Sequence, residues 1–101
     1  MVKHNKLVRS GIPEYLQSKN IPFKIRKAGK SEYIEKLYQK LYEEARELAK
    51  DRTIEELADL LEVIEAIKKL RGWSSQDVED IRLKKLSERG GFDQPIILVE
   101  S

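Results

Sequence analysis

Cysteine is absent from this sequence, and histidine occurs once, as His4. The first absence excludes disulfide bonds, thiolate metal sites and thiol nucleophiles. The second leaves imidazole zinc sites and Ser-His catalytic pairs poorly supplied. Any catalytic chemistry must therefore rest on carboxylates, lysines, arginines and hydroxyl groups.

Long apolar runs and a one-signed charge are also missing. No run reaches the roughly 18 apolar residues of a membrane span, and the first ten residues lack the apolar core of a signal peptide. We therefore expect a cytoplasmic protein with no membrane partner. Twenty basic residues nearly cancel eighteen acidic ones. Since nucleic-acid-binding proteins usually carry a basic stripe, we expect no nucleic acid polymer as partner.

The length of 101 residues suits a single domain over residues 1–101 with a modest core, which oligomerisation would supplement. Pro13 favours a short helix over residues 13–19. Ser31 is predicted to cap a helix that continues to about residue 50. Thr53 is predicted to cap another that ends at Gly72, and Ser74 or Ser75 a last one over residues 75–89.

Two apolar segments, residues 22–29 and 95–100, are predicted to be strands that pair with each other, because a lone strand leaves backbone groups unpaired. The predicted fold class is therefore mainly all-α. We expect an antiparallel bundle of two long helices, with a third packed across them and a short two-stranded β ribbon.

Four acidic residues of the two long helices lie on or beside the apolar faces of these helices, where solvent exposure does not explain their charge. On helical wheels, Glu44 falls inside the apolar arc of its helix and Glu47 at its edge, while Glu56 and Asp59 fall on the apolar side of the next helix. Within each pair the spacing of three puts both carboxylates on one face. Antiparallel packing would bring the four together at a high electrostatic cost unless a cation enters. Because hard divalent cations prefer carboxylate oxygens, these residues predict an Mg²⁺ or Mn²⁺ site between facing helices.

Simpler roles stay open for three of these acids. Glu56 completes a capping box with Thr53, which accounts for it without a metal. Glu47 and Asp59 could be edge residues that pair with Lys40 or another base. Glu44 has no such role, since no cap needs it.

The sequence resembles a known family in four segments. "EEARE" and "EELADLLEVIEA" are similar to the paired E-x-x-E and E-x-x-D signatures of the all-α nucleoside triphosphate pyrophosphohydrolases, the MazG-like group. "NKLVRSGIPEYL" and "KLSERGGF" resemble flanking segments of its small phosphoribosyl-ATP pyrophosphohydrolase-like branch. The matches run in order over nearly the whole chain. Ser10 and Gly11 depart from that branch, which usually has an acidic and a basic residue there.

The resemblance implies a helical bundle that assembles as a homodimer or higher oligomer. It implies Mg²⁺-dependent hydrolysis of a nucleotide between its α and β phosphates, which gives a monophosphate and pyrophosphate, as in enzymes that remove non-standard nucleotides. Glu44, Glu47, Glu56 and Asp59 would then be the metal ligands, and Glu47 the residue that activates water. The phosphate-binding candidates are Lys6, Arg9, Lys85 and Arg89.

Alternatives remain for the bases and for the activity. Lys85 and Arg89 lie near the predicted end of a helix, where positive side chains are favourable without any ligand. The rival function is a catalytically silent helical dimerisation or interaction module on the same scaffold, because a fold does not secure an activity.

Overall fold

A computed structural model describes residues 2–101 and contains four helices. These are α1 (Ile12–Ser18), α2 (Lys30–Asp51), α3 (Ile54–Arg71) and α4 (Ser75–Arg89). The predicted all-α fold class is confirmed, with α2 and α3 in contact. Over the described range, none of these helices combines the length and the apolar character needed to cross a membrane.

The chain divides into two compact units, and the boundary lies within α3. The first unit extends to Ile67 and the second begins at Lys68. The first holds α1, α2 and most of α3, whereas the second holds the end of α3 and α4. A single domain over residues 1–101 stays a prediction.

Side-chain hydroxyl groups cap the N-termini of α3 and α4. The hydroxyl oxygen of Thr53 accepts the backbone N–H of Glu56 at 3.3 Å, and that of Ser74 accepts the N–H of Asp77 at 3.0 Å. Both predicted caps are therefore confirmed. Gly90 ends α4 as predicted, with a φ of 78° that favours glycine.

The predicted cap at Ser31 is wrong, because α2 begins one residue earlier, at Lys30. Gly29 takes the N-cap position with an extended backbone, and no side chain caps this end. The carbonyl of Gly29 accepts the first bond of the helix, from the N–H of Tyr33 at 2.9 Å. A glycine at this position is nearly as favourable as a serine, so the helix extends back to it.

The α2–α3 hairpin forms the core of the first unit. Two residues connect the helices, and the first, Arg52, adopts the left-handed conformation with φ 56°. Its N–H bonds to the carbonyl of Leu48 at 2.9 Å, which closes the end of α2. The short connection makes the helices antiparallel and brings Leu37 of α2 and Val63 and Ile67 of α3 into the buried core.

The predicted β ribbon is wrong, since residues 22–29 and 95–100 form no strand. The N–H of Ile96 bonds to the carbonyl of Gln94, which is a local turn and not a ladder. The side chains of Ile96, Ile97, Leu98 and Val99 are 79 to 84 % exposed, so neither face of this segment is covered. Without a buried face, pairing of the two segments would gain little to offset the cost of ordering them.

Candidate functional site

Three of the four predicted metal ligands converge within the first unit. Carboxylate oxygens of Glu44 on α2 and of Glu56 and Asp59 on α3 all lie within 4.8 Å of one another. All three residues are half-buried. The hairpin geometry explains this meeting, because the two-residue connection sets the last turns of α2 beside the first turns of α3. Glu56 and Asp59 are one helical turn apart and share a face.

The fourth predicted ligand, Glu47, belongs to a second group that overlaps the first. Carboxylate oxygens of Glu47, Asp51 and Glu56 also lie within 4.8 Å of one another. Glu56 therefore joins both groups. Asp51 was not among the predicted site residues, because its position at the end of a helix suggested a turn. Its spacing of four from Glu47, which places both on one face of α2, was the signal that would have found it.

The electrostatics of Glu56 follow from this shared position. Burial raises the pKa of its carboxyl group, and the negative charges of Asp51, Asp59, Glu47 and Glu44 raise it further. Every charge that acts on this pKa is thus negative. A carboxylate in such surroundings is stabilised by any cation that enters.

The capping role left open for Glu56 does not account for its side chain. The cap uses the backbone N–H of Glu56, which donates to Thr53. The carboxylate itself lies among the other acids. Both roles are compatible, since they use different atoms of the residue.

Two bases partly neutralise the first group. The guanidinium of Arg9 donates to Asp59, with Nη2 and Oδ1 2.8 Å apart, and both side chains are about half exposed. The ammonium of Lys40 lies 3.6 Å from Glu44, and this pair is more enclosed, with side chains 16 and 14 % exposed. Arg9, predicted to bind phosphate, here binds a predicted metal ligand. Lys40 pairs with Glu44 and Glu43. Asp59 pairs instead with Arg9, in the segment before α1.

Polar contacts fasten that segment to α2. Lys6, also predicted to bind phosphate, lies 3.2 Å from the carboxylate of Glu43. Lys36 donates to the carbonyl of Asn5 at 2.8 Å. Burial raises the pKa of Glu43, but the hydrogen bond from Lys6 and the charges of Lys40 and Lys6 outweigh it, so the pKa lies below its usual range. Glu43 is thus held by two lysines, Lys6 and Lys40.

A cavity of about 470 Å³ adjoins the acids. Three segments line it, namely residues 7–10, residues 33–44 of α2 and residues 59–66 of α3. Apolar side chains such as Leu37 and Val63 form part of the wall, and Arg9, Glu44 and Asp59 contribute charge. The site thus joins a carboxylate cluster to an open cleft whose volume lies in the size range of small-molecule pockets.

The remaining predicted phosphate ligands lie elsewhere in the chain. Lys85 is on α4, and Arg89 is its last residue, where its charge favours the negative end of the helix. Both belong to the second unit, whereas the acids belong to the first.

The donor set fits a hard divalent cation. It consists of carboxylate oxygens alone, from three half-buried residues, and burial together with neighbouring carboxylates raises the pKa of Glu56. Mg²⁺ and Mn²⁺ favour such oxygens, and Mg²⁺ usually needs few of them.

No protein-family model matches this chain, and comparison with curated proteins and with solved structures gives no match either.

Proposed function

We propose that this chain is a divalent-metal-dependent nucleotide pyrophosphohydrolase, which cleaves between the α and β phosphates and releases a monophosphate and pyrophosphate. The observation that carries the proposal is the convergence of Glu44, Glu56 and Asp59 within 4.8 Å beside a cavity of about 470 Å³. The resemblance of the acidic signatures to the MazG-like group supports the choice of substrate class. Enzymes of this kind remove non-standard nucleotides, and the cytoplasm is the compartment we propose.

The metal would be held by Glu44, Glu56 and Asp59, with Glu47 at the edge of the set. When bound, Mg²⁺ or Mn²⁺ supplies neutralisation of the negative charge that develops on the phosphate oxygens. This chemistry suits a chain without cysteine, since phosphate-anhydride hydrolysis needs a positioned water and no side-chain nucleophile.

The chain's own residues would perform the other tasks. Glu47 shares the second acidic group with Asp51 and Glu56, and its carboxylate would orient a water and accept its proton. Arg9 lies on the cavity wall and beside Asp59, so its guanidinium is placed to hold a phosphate as well. Lys6, Lys85 and Arg89 are further candidates for phosphate binding.

The rival function is a silent helical interaction module on the same scaffold, and one observation favours it. Arg9 and Lys40 already neutralise Asp59 and Glu44, at 2.8 and 3.6 Å. Such internal pairs would let two of the three acids persist without any metal. The two functions differ in whether Glu56, whose pKa is raised by burial and by four carboxylates, acquires a cation.

A pyrophosphate-release assay decides between them. Canonical and modified nucleoside triphosphates are each incubated with the full chain and Mg²⁺ or Mn²⁺. We expect release with at least one nucleotide, a loss of at least about tenfold in kcat for Glu47→Gln, and no change for Glu55→Gln. Glu55 is an exposed neighbour on α3 outside both acidic groups. Silence across the nucleotides would refute the enzyme and favour the interaction module.

A further inference from the structure

Lys40 lies on the core-facing side of α2, between the apolar core and the acids. Four residues of this helix line the cavity at spacings of four, three and four, which place them on one face: Tyr33, Leu37, Lys40 and Glu44. Leu37, one turn before Lys40, is 2 % exposed. The side chain of Lys40 is itself only 16 % exposed. A lysine in such a position costs free energy unless its ammonium has a partner.

The partners of this ammonium are two acids of the same helix. Nζ of Lys40 lies 3.5 Å from Glu43 and 3.6 Å from Glu44. The carboxylate of Glu43 is shared with Lys6, at 3.2 Å. The pair with Glu44 is enclosed on both sides, so solvent ions screen it less than an exposed pair. Lys40 therefore supplies at Glu44 the positive charge that a bound metal ion would otherwise supply.

A divalent cation and the ammonium of Lys40 compete for the carboxylate of Glu44. With a cation at Glu44, two positive charges stand side by side, and the pair between Lys40 and Glu44 loses most of its attraction. The ammonium still lies on the cavity wall, which it shares with the guanidinium of Arg9. A phosphate group in the cavity is an anion that both bases can bind, and lysine is a common phosphate ligand in proteins.

We propose that Lys40 is a phosphate-binding residue that links the two ligands of the site. In the absence of a cation its ammonium neutralises Glu44, and when Glu44 coordinates a cation the ammonium binds a phosphate group of the nucleotide. Lys40 therefore disfavours the binding of a bare metal ion and favours the binding of phosphate beside a bound one. This assignment rests on the proposed function and deepens it, because it adds a substrate ligand on the inner face of α2.

Binding of Mn²⁺ without nucleotide, followed by electron paramagnetic resonance, tests the first half of the proposal. Lys40→Met keeps most of the side-chain length and removes the charge. We expect this variant to bind Mn²⁺ about fivefold more tightly than the wild-type chain, since the competing ammonium is gone. Lys40→Arg keeps the charge and should keep the wild-type affinity. If circular dichroism shows that Lys40→Met loses helix content, Lys40→Gln gives the same test with a polar side chain.

Lys36→Met is the matched control for this measurement. It removes a positive charge one turn away on α2, where the ammonium of Lys36 donates to the carbonyl of Asn5 and to no acid of the site. Its Mn²⁺ affinity should match that of the wild-type chain. An unchanged or weaker Mn²⁺ affinity after loss of the Lys40 charge overturns the role of Lys40, while the metal site stands. Absence of Mn²⁺ binding in every chain overturns the metal site and the role of Lys40 with it.

Isothermal titration calorimetry with magnesium pyrophosphate tests the second half, and the expected effect has the opposite sign. Lys40→Met should bind magnesium pyrophosphate about tenfold more weakly than the wild-type chain, because a hydrogen bond between charged groups is lost. A residue that only supports the fold would weaken both ligands, and one that only repels the metal ion would leave pyrophosphate binding intact; either result overturns the proposal. Because neither measurement needs turnover, a chain that binds both ligands as expected but hydrolyses no nucleotide contradicts the proposed hydrolysis alone.

Discussion

Replacing Glu56 with glutamine tests the proposed metal site without disrupting the helices that form it. Glu56 is the one carboxylate common to both acidic groups, and the substitution removes its charge while it keeps the side-chain size. Its backbone N–H still donates to Thr53, so the cap of α3 is retained. The perturbation therefore acts on the electrostatics of the cluster.

The two effects of this substitution have opposite signs. Without metal, Glu56→Gln should raise the melting temperature at neutral pH, because burial and four negative neighbours raise the pKa of Glu56 and disfavour its charged form. When Mg²⁺ or Mn²⁺ is added, the melting temperature of the wild-type chain should rise and that of Glu56→Gln should not. An ion at about ten times its dissociation constant stabilises the folded state by about 1.4 kcal/mol. For a domain of this size, that corresponds to a rise of about 6–11 °C in melting temperature.

Thermal unfolding followed by circular dichroism, in EDTA and in a series of Mg²⁺ or Mn²⁺ concentrations, measures both effects. Glu55→Gln is the matched control, since it removes one negative charge from the same turn of α3 outside both acidic groups. It should keep the wild-type response to metal. A metal-induced rise that survives in Glu56→Gln, or a wild-type chain that shows none at millimolar metal, would refute the site.

Three further predictions concern the scaffold. Leu37→Ala should lower stability by about 2–5 kcal/mol in urea unfolding, because Leu37 is 2 % exposed and its removal leaves a cavity between α2 and α3; an effect below about 1 kcal/mol would contradict its core position. Arg52→Gly should raise stability by about 1 kcal/mol in the same assay, since glycine relieves the left-handed backbone at φ 56°, and a loss would show that the bond from its guanidinium to Ala49 matters more. Glu32→Gln should speed amide exchange over residues 22–29, because it breaks the paired hydrogen bonds from Arg26, which lower the pKa of Glu32. Since that pKa is depressed, the contact is fully present above the usual glutamate pKa of about 4.3 and is lost as the pH falls through the lowered value, so wild type and variant should converge in acid.

The helices were predictable from the sequence because their signals are local. Thr53 and Ser74 each lie three residues before the backbone N–H that they bind, so both ends of the interaction are visible in one short stretch. The convergence of Glu44 with Glu56 and Asp59 was predictable for a similar reason. A two-residue connection between antiparallel helices places the last turns of the first helix beside the first turns of the second.

Contacts between distant segments were not predictable in this way. Lys6 and Glu43 are 37 residues apart, and Arg9 and Asp59 are 50 apart. A helical wheel describes one helix at a time and says nothing about an irregular segment such as the one before α1. The predicted β ribbon is an error of a different kind. The apolar composition of residues 95–100 suggested a strand with a pairing partner, and no strand forms there.

The pairing of Arg9 with Asp59 links two sets of residues that the sequence presents separately. The acids were predicted as metal ligands and Arg9 as a phosphate ligand, yet the structure brings its guanidinium to 2.8 Å from Asp59. A metal ion held by Asp59 would weaken this pair, since cation and guanidinium compete for the same oxygens. Arg9 would then remain on the wall of the cavity, where its guanidinium is placed to bind a phosphate. In the absence of metal, Arg9 would neutralise Asp59. With metal and substrate bound, it would neutralise a phosphate, so neither the carboxylate nor the phosphate would lack a positive partner. The ion pair between Arg9 and Asp59 is therefore compatible with both proposed functions.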